Sequence, residues 1–353
     1  MKKIVLTGGG TAGHVTPNIA LLPALKEAGY EIAYIGSYNG IEKQLISDYG
    51  IPYTGIATGK FRRYFDLKNL TDPFRVGKGF TEAKKYLKQF KPDVVFSKGG
   101  FVSVPVVRAA ASLGIPCIIH ESDMTPGLAN KLCFRVSEKI CCNFPETVSM
   151  LPAAKAVLTG TPIRAELFTG DASKGRKFCG FKDDKPVLMV TGGSLGAVAV
   201  NEAVREALPL LLEKYNVVHL CGKKKLDDSF LDKKGYKQFE YVKDEMKDLF
   251  AMADVVISRA GANAICELLA LKKPNILIPL PSKSSRGDQL LNAKSFESAG
   301  YSVVIEQEKL NPQLLLKAVN KVYDKREKYI ASMSSAVQQD SIKAIMELIE
   351  NSI

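Results

Sequence analysis

The sequence predicts an α/β protein of two similar halves, each a parallel β-sheet with helices on both faces. Three observations support this prediction. The length of 353 residues exceeds what one hydrophobic core ordinarily organises. Short, almost continuously apolar strands alternate with amphipathic helical segments, which is typical of parallel sheets buried on both faces. Both halves also begin with the same pattern, a strand ending in Thr-Gly-Gly that leads through a turn into a helix, at Thr7 and again at Thr191.

The strands and helices occur in the same order in both halves. The first half is predicted to hold strands at 3–7, 31–35, 93–96, 116–119 and 138–142, with helical runs at 18–28 and 102–113. The second is predicted to hold strands at 187–191, 216–220, 255–258, 275–278 and 302–305, with helices at 198–214, 262–271 and 286–299. We therefore expect two Rossmann-like, doubly wound domains facing a cleft, at 1–160 and 161–335, followed by a C-terminal helix at 336–353.

The composition is that of a soluble globular protein, with 46% apolar and 24% charged residues. No apolar run approaches the ~20 residues that span a bilayer. Two lysines and a short apolar stretch at the start predict a first strand and not a signal peptide. Seven cysteines without CxxC spacing and three scattered histidines predict reduced, buried thiols in a cytoplasmic protein and no zinc site.

One segment carries much of the positive charge. The chain has 49 basic and 37 acidic residues, a formal charge of +12. The range Lys60–Lys91 alone holds ten basic residues, three acids and seven aromatics. Such a segment favours an anionic partner, and we expect it to bind the anionic membrane surface through its basic and aromatic side chains. A solvated helix whose aromatic side chains pack inward is the alternative.

The glycine turns indicate binding of a phosphate-containing ligand. Gly8–Gly13 formally matches the dinucleotide pattern GxGxxG, but the second strand ends Ile35-Gly36-Ser37 without the acid that holds the ribose, which argues against a dehydrogenase. The chain contains neither a P-loop motif nor an Asp-x-Asp pair for a divalent metal. Two nucleotide-type domains with glycine turns, and without metal ligands, indicate the GT-B glycosyltransferase fold.

Six segments, in order and over almost the whole chain, resemble the MurG family of GT-B glycosyltransferases. The resemblance implies inverting transfer of N-acetylglucosamine (GlcNAc) from UDP-GlcNAc to the 4-hydroxyl of N-acetylmuramic acid in lipid I, a polyprenyl-diphosphate-linked sugar peptide. The product is lipid II of peptidoglycan synthesis, on which cell shape and division depend. The segments are Gly8–Pro17 (GGGTAGHVTP), Ser97–Pro105 (SKGGFVSVP), His120–Asn130 (HESDMTPGLAN), Gly160–Arg164 (GTPIR), Gly192–Ala197 (GGSLGA) and Ser258–Glu267 (SRAGANAICE).

The resemblance places the donor mainly in the second half and implies no cofactor and no metal. Glu267 would accept hydrogen bonds from the ribose hydroxyls of UDP, and Ser194 with Arg164 would meet the diphosphate. Gln289 would form hydrogen bonds with the sugar hydroxyls, and the backbone of Val242 or Lys243 would contact uracil. The full set of candidate donor contacts is Thr11, Ala12, Gly13, Arg164, Ser194, Val242, Lys243, Ala262, Asn263, Ala264, Glu267 and Gln289.

The acceptor would lie against the first half, at the cytoplasmic face of the cell membrane. Candidates for the base that assists attack are His14, Glu121 and Asp123, and the choice among them stays open. Asp123 stands where the family commonly has asparagine, and Asp288 also departs from the family pattern, which puts carried-over amide roles there in doubt. The candidate acceptor contacts are Gly10, Gly99, Gly100, Asp123 and Asn130.

Three other functions remain as alternatives. A diacylglycerol glucosyltransferase would share the fold and the membrane surface, but it would lack the stretch His120–Asn130. A UDP-GlcNAc 2-epimerase would need no lipid acceptor, so the basic aromatic segment argues against it. A nucleic-acid-binding protein would explain the charge of +12. It would leave both glycine turns unexplained, so we expect no nucleic-acid partner.

Overall fold

The computed structural model describes residues 1–59, 68–193, 196–231, 233–282, 287–336 and 340–353, the side chains of 68–71 excepted. The chain forms two compact units. The first comprises Met1–Arg164 together with the C-terminal end of the chain, and the second begins at Ala165. The part of Lys60–Lys91 up to residue 67 lies outside the described residues, as does Ser194.

The first unit is built on a parallel sheet whose described strands have the order β3-β2-β1-β4-β5-β6-β7. The strands form because their residues are apolar and fully buried, as Val94, Val95 and Phe96 show with no exposed area. The strands are β1 Lys3–Thr7, β2 Glu31–Ser37, β3 Tyr53–Ile56, β4 Val94–Ser97, β5 Cys117–Glu121, β6 Lys139–Cys142 and β7 Ala156–Leu158.

Helices cover both faces of this sheet. The helix α3 packs close to the end of β3 at Gly79, where there is no room for a side chain. A Cβ atom at this position would lie 1.9 Å from the Ala57 carbonyl oxygen. The helices of the first unit are α1 Thr16–Glu27, α2 Ile41–Ser47, α3 Lys68–Phe90, α4 Ser103–Ala111, α5 Leu128–Lys131 and α6 Pro145–Val148.

The second unit repeats this architecture with the strand order β10-β9-β8-β11-β12-β13, again parallel. Its strands are β8 Val187–Thr191, β9 Asn216–Leu220, β10 Tyr236–Phe239, β11 Val255–Ser258, β12 Asn275–Leu277 and β13 Ser302–Val304. Its helices are α7 Ala172–Cys179, α8 Val198–Lys214, α9 Met246–Met252, α10 Ala262–Ala270, α11 Asp288–Ser298, α12 Pro312–Asp324 and α13 Arg326–Ser334.

The last helix, α14 Ser341–Glu350, packs on the first unit. Ile345 and Ile349 are fully buried in the same core cluster as Leu25 of α1. The Tyr30 hydroxyl donates a hydrogen bond of 2.7 Å to the Glu350 carboxylate. The chain therefore returns to its first unit, a contact that the periodicity at 336–353 could not show.

Three strands were missed by the sequence-based prediction, and all three are edge strands. They are β3 and β7 of the first sheet and β10 of the second. An edge strand has one neighbour and is only partly covered, so it needs no continuous apolar run. Tyr53, Thr54 and Gly55 are accordingly only half-buried. The apolar-run criterion thus detects the central strands but misses three of the four described edge strands, β13 being the one that it predicts.

Strand order locates the place in each unit where a ligand binds most readily. Open α/β sheets bind ligands at the carboxyl ends of strands, where the order of strands reverses. In the first unit this point lies between β1 and β4, hence between the turn after Thr7 and the turn after Ser97. In the second it lies between β8 and β11, hence between the turns after Thr191 and Ser258. Four of the six sequence motifs lie directly after these strands.

Candidate active site

The turn Gly8–Gly13 is held by a buried carboxylate that the sequence reasoning did not single out. Gly10 has φ +86°, and a Cβ atom there would lie 2.4 Å from the ring of Phe101. Glu42 is fully buried and accepts hydrogen bonds from the Gly10 N–H at 3.2 Å and the Ser37 N–H at 2.9 Å. An acid does therefore sit beside the end of the second strand. Its oxygens bind protein backbone, so it orders the turn.

His14 ends a single 3₁₀ turn, Ala12–His14, directly after the glycines. Its Nδ1 lies 3.0 Å from the Thr11 hydroxyl oxygen. The second glycine turn abuts it, because a Cβ atom at Gly100 would lie 3.1 Å from the same nitrogen and 2.3 Å from the Gly9 carbonyl oxygen. The predicted candidates at both turns thus meet at one place, and Gly100 is required there for lack of space.

The loop 122–127 follows β5 and is held by Glu121. The carboxylate is buried and accepts the Asp123 N–H at 3.1 Å, the Gly127 N–H at 2.8 Å and the Asn130 amide at 2.8 Å. Burial raises the pKa of Glu121, while the hydrogen bonds from Asn130 and Gly127 act in the opposite direction. Because both oxygens are engaged within the protein, the geometry favours a loop-holding role for Glu121 over the expected role of base.

Asn130 joins this loop to the second glycine turn. Its amide nitrogen donates to Glu121 and, at 3.2 Å, to the His120 carbonyl. Its Oδ1 would lie 3.2 Å from a Cβ atom at Gly99. This oxygen is buried and has no hydrogen-bond partner among the described residues. A buried acceptor without a partner beside a glycine turn is the kind of group that a ligand hydroxyl or amide completes.

A buried chain of polar groups, which the sequence reasoning also missed, lies beneath this loop. The Lys98 ammonium donates to His120 Nδ1 at 2.7 Å and to the Ser122 hydroxyl at 2.6 Å. His120 Nε2 lies 2.8 Å from the Gly160 carbonyl oxygen and donates to it. Burial, and then the charge of Lys98, hold the pKa of His120 well below its usual range, so the ring is neutral. The feature of the sequence that could have pointed to this chain of contacts is a lysine placed directly after a buried strand.

A pocket of about 370 Å³ opens beside the first glycine turn. Its size falls within the range of small-molecule sites. Its lining combines backbone, aromatic rings and a guanidinium, from Gly10, Tyr38, Arg75 and Phe101 among others. The carboxyl edge of the first sheet thus has room for a ligand next to the turns.

In the second unit, the glycine turn after β8 leads into α8 without a side-chain cap or an acid in its first turn. Gly193 and Gly196 have φ of +80° and +69°, and a Cβ atom at Gly196 would lie 2.0 Å from the Cys221 carbonyl oxygen. Among the described residues, the first N–H groups of α8 therefore lack a capping side chain, and the helix dipole favours an anion there.

The helix α10 starts on the other side of the strand-order reversal. Ala262, Asn263 and Ala264 form its first turn, which has no side-chain cap and no acid among the described residues. Glu267 is half-buried on the next turn. This brings the predicted carboxylate and three other predicted donor contacts onto one short helix at the carboxyl edge.

The neighbouring α11 supports the start of α10. The Asn292 amide is buried and donates to the Ala260 carbonyl at 3.2 Å. The Oε1 of Gln289 accepts a hydrogen bond of 3.1 Å from the Leu280 N–H. The amide nitrogen of Gln289 takes no part in this contact and can donate to another group. Gln289 thus lies at the same edge of the sheet as α10.

Arg259 is a further buried residue that the sequence reasoning passed over. Its guanidinium donates to the carbonyls of Ile278 at 2.9 Å and Pro279 at 3.3 Å, and to the Gln307 amide oxygen at 2.6 Å. Burial lowers the pKa of Arg259. These contacts connect the ends of β11 and β12, so Arg259 positions the turn from which α10 starts.

The remaining predicted donor contacts lie at separate places. Thr11, Ala12 and Gly13 lie at the first glycine turn, in the first unit. Val242 is buried and Lys243 is exposed, both in the loop between β10 and α9 at the carboxyl edge. Arg164 is the last residue of the first unit before the chain enters the second. Their contacts with a nucleotide stay predictions.

Six of the seven cysteines are buried, and Cys266 is partly exposed. In the described parts of the chain, no group of three or more His, Cys, Asp or Glu side chains is arranged to hold a metal ion. Over the same residues, the helices are all too short or too polar to cross a membrane.

Comparison with known proteins agrees with this architecture. Residues 4–142 match the glycosyltransferase family 28 N-terminal domain, and residues 187–349 match the glycosyltransferase family 28 C-terminal domain. The crystal structure of Acinetobacter baumannii MurG is 27% identical with a TM-score of 0.78, covering 99% of this chain and 100% of that one.

Two curated relatives align over nearly their whole length. The protein of Lachnospira eligens is 65% identical over 351 residues, 99% of each chain, and that of Lachnoclostridium phytofermentans is 64% identical over 350 residues, also 99% of each. Both are named UDP-N-acetylglucosamine–N-acetylmuramyl-(pentapeptide) pyrophosphoryl-undecaprenol N-acetylglucosamine transferase. The chain belongs to glycosyltransferase family 28 and, within it, to the family of these MurG-type N-acetylglucosaminyltransferases.

Proposed function

We propose that the chain transfers GlcNAc from UDP-GlcNAc to the 4-hydroxyl of the N-acetylmuramic acid in lipid I, giving lipid II and UDP. The observation that carries the proposal is the 65% identity, over 99% of both chains, to a relative named for this transfer. The glycine turns at the strand-order reversal of each unit supply a place for each substrate.

The second unit is the proposed donor site. The starts of α8 and α10, which have no side-chain cap in the described parts of the chain, flank the reversal between β8 and β11 and suit the diphosphate of UDP. Glu267, on the second turn of α10, would accept hydrogen bonds from the two ribose hydroxyls. Gln289 has its amide nitrogen outside the Leu280 contact and would donate to a sugar hydroxyl. Arg164 and Ser194 would add contacts to the diphosphate.

The first unit is the proposed acceptor site. The glycine turns at Gly10 and Gly99–Gly100 would let the lipid diphosphate approach the backbone closely, and they meet beside His14. The Oδ1 of Asn130, which lacks a partner among the described residues, would accept from a hydroxyl or amide of the sugar peptide. Asp123, half-buried in the loop 122–127, would contact sugar hydroxyls.

The reaction is a single displacement with inversion. The acceptor 4-oxygen forms a bond to the anomeric carbon of GlcNAc while the bond from that carbon to the UDP oxygen breaks. A base accepts the hydroxyl proton, and UDP departs with the electron pair of the broken bond. His14 is the proposed base, since a neutral imidazole is the side chain best suited to accept a proton at neutral pH. Helix N–H groups and Arg164 would stabilise the charge that develops on UDP.

The proposal is tested by following radiolabelled sugar from UDP-GlcNAc into a lipid I analogue. We expect a labelled lipid-linked disaccharide, formed at an unchanged rate in excess EDTA because the proposed site stabilises the leaving group with N–H groups and arginine. A strict requirement for magnesium or manganese would contradict the metal-independent mechanism. Label appearing in free N-acetylmannosamine would instead indicate an epimerase, and label in diacylglycerol would indicate a lipid glucosyltransferase.

We also propose that the enzyme works as a peripheral protein at the cytoplasmic face of the membrane, because its lipid acceptor remains in the bilayer. The described part of Lys60–Lys91 shows which of its aromatic side chains are exposed enough to contact a membrane. Phe80, Tyr86 and Phe90 pack against the core, so the expectation that they meet lipid does not hold. Phe74, in contrast, is 81% exposed.

Four of the exposed side chains of α3 form one stripe. Phe74, Lys78, Lys85 and Lys88 are exposed and succeed one another at intervals of four, seven and three residues, which places them on one face of the helix. An apolar ring with lysines on the same face is the pattern of a helix that lies on an anionic bilayer. We call these four residues the membrane stripe.

Reversing two charges of the membrane stripe is expected to weaken vesicle binding. The variant Lys85→Glu with Lys88→Glu should bind anionic vesicles at least about tenfold more weakly, since each basic residue near such a surface contributes about 1 kcal/mol. Co-sedimentation with phosphatidylserine-containing and neutral vesicles measures the effect, and added salt should reduce wild-type binding. The matched control, Lys317→Glu with Lys321→Glu on α12, makes the same change in net charge. Equal binding by the two double variants would contradict the membrane stripe.

A further inference from the structure

Lys98 is a fully enclosed cation that the proposed reaction does not use. It follows β4, its side chain is 1% exposed, and its ammonium contacts two groups on the neighbouring β5 and the loop after it. A buried ammonium is costly unless its donors are satisfied, so a place for it in the core indicates a specific role.

The contacts of Lys98 point to the loop 122–127. Its ammonium donates to the hydroxyl of Ser122, the first residue of that loop. The same loop is held from the opposite side, where the Asn143 amide donates to the Ser122 carbonyl at 2.9 Å and the Thr147 hydroxyl to the Met124 carbonyl at 2.8 Å. The position of Asp123 is therefore set by contacts on both sides.

The second contact of Lys98 extends beyond the loop. His120 accepts the ammonium hydrogen bond at Nδ1 and donates from Nε2 to the Gly160 carbonyl. The ring can do both only as the neutral tautomer with hydrogen on Nε2. The chain of contacts thus connects the end of β4, the end of β5 and the segment that comes after β7.

We propose that Lys98 is a positioning residue for the acceptor, which acts through Ser122 and His120 to hold the loop 122–127 beside the two glycine turns. The inference rests on the proposed acceptor site in the first unit. It assigns to the ammonium a role in binding the acceptor and not the donor, because its hydrogen bonds to His120 and Ser122 support the loop 122–127 of the first unit.

The variant Lys98→Met tests the proposal, since methionine fills similar space without a charge or a donor. We expect KM for the lipid I analogue to rise about tenfold or more, as for loss of a charged hydrogen bond. We expect KM for UDP-GlcNAc to stay within about twofold, because Glu267 and Gln289, the proposed donor side chains, belong to the untouched second unit. The control Lys43→Met, an exposed lysine on α2, should leave both constants unchanged. An unchanged acceptor KM, or an equal rise of both, would overturn the proposal.

A double-mutant cycle separates positioning from a general loss of packing. If Lys98 acts through Ser122, then Ser122→Ala alone raises the acceptor KM and adds little to Lys98→Met. Additive effects would overturn the proposal. Should Lys98→Met fail to fold, Ser122→Ala decides alone, by raising the acceptor KM or leaving it unchanged. Absence of any transfer by the wild-type enzyme would instead refute the proposed function.

Nitrogen NMR reports on the contact itself. The chain has three histidines, and burial lowers the pKa of His219 to about 3, so its ring stays neutral near pH 7. In the wild type we expect the His120 ring also to remain neutral near pH 7, with hydrogen on Nε2. In Lys98→Met the Nδ1 resonance of His120 should shift, because it loses an ammonium donor. An identical spectrum in both proteins would overturn the assigned contact.

Discussion

Replacing His14 by alanine is expected to lower turnover by about 100-fold or more, the usual scale for loss of acid–base assistance. His14 stands where the two glycine turns of the first unit meet, with Nδ1 3.0 Å from the Thr11 hydroxyl. The measurement is kcat for sugar transfer at saturating concentrations of both substrates. The loss should appear mainly in kcat, because the proton moves only as the new bond forms.

Two further variants serve as comparisons for His14→Ala. Lys26→Ala changes an exposed residue at the end of α1 and should leave kcat unchanged. Asp123→Asn should also be tolerated if Asp123 only contacts sugar hydroxyls, because an amide oxygen still accepts hydrogen bonds. Near-normal turnover of His14→Ala together with a collapse for Asp123→Asn would make Asp123 the base.

Replacing Glu267 by alanine is expected to weaken UDP-GlcNAc binding by about 10- to 150-fold, which corresponds to about 1.5–3 kcal/mol for a charged hydrogen-bond partner. Glu267 is half-buried on α10, one turn beyond its first residues, Ala262–Ala264. Calorimetric titration with UDP and with UDP-GlcNAc measures the loss. Both ligands should lose affinity alike, since the proposed contact is to the ribose that they share.

The control for Glu267 is Glu206→Ala, which removes an exposed carboxylate from the middle of α8 and should leave affinity unchanged. Glu267→Gln should recover part of the affinity if the side chain acts as a hydrogen-bond acceptor. Unchanged affinity in a folded Glu267→Ala protein would remove this residue from the donor site. Such a result would not change the family assignment, because that assignment depends on similarity over nearly the whole chain.

Central elements of the fold were predictable from the sequence because their signals are local. Buried central strands such as Val94–Ser97 are continuous apolar runs, and the helix after each glycine turn shows its own periodicity. The paired Thr-Gly-Gly turns at Thr7 and Thr191 indicated the repeated architecture. Candidate residues at Gly10, His14 and Gly100 were predictable for the same reason, since each belongs to a short motif directly after a strand.

Only the tertiary structure decided which distant residues complete the site. Glu42 reaches back to Gly10, and Lys98 reaches across to His120 and Ser122, through side chains that no local pattern marks as partners. The edge strands β3, β7 and β10 and the packing of α14 on the first unit could not be predicted either, since the contact of Tyr30 with Glu350 spans 320 residues. By itself the sequence determined the alternation of strands and helices and the glycine turns, because these depend on neighbouring residues. The tertiary structure decided the order of the strands, the burial of Glu42 and Lys98 and the contacts that hold the loop 122–127. These features depend on contacts between distant residues, which exist only once the sheet has assembled.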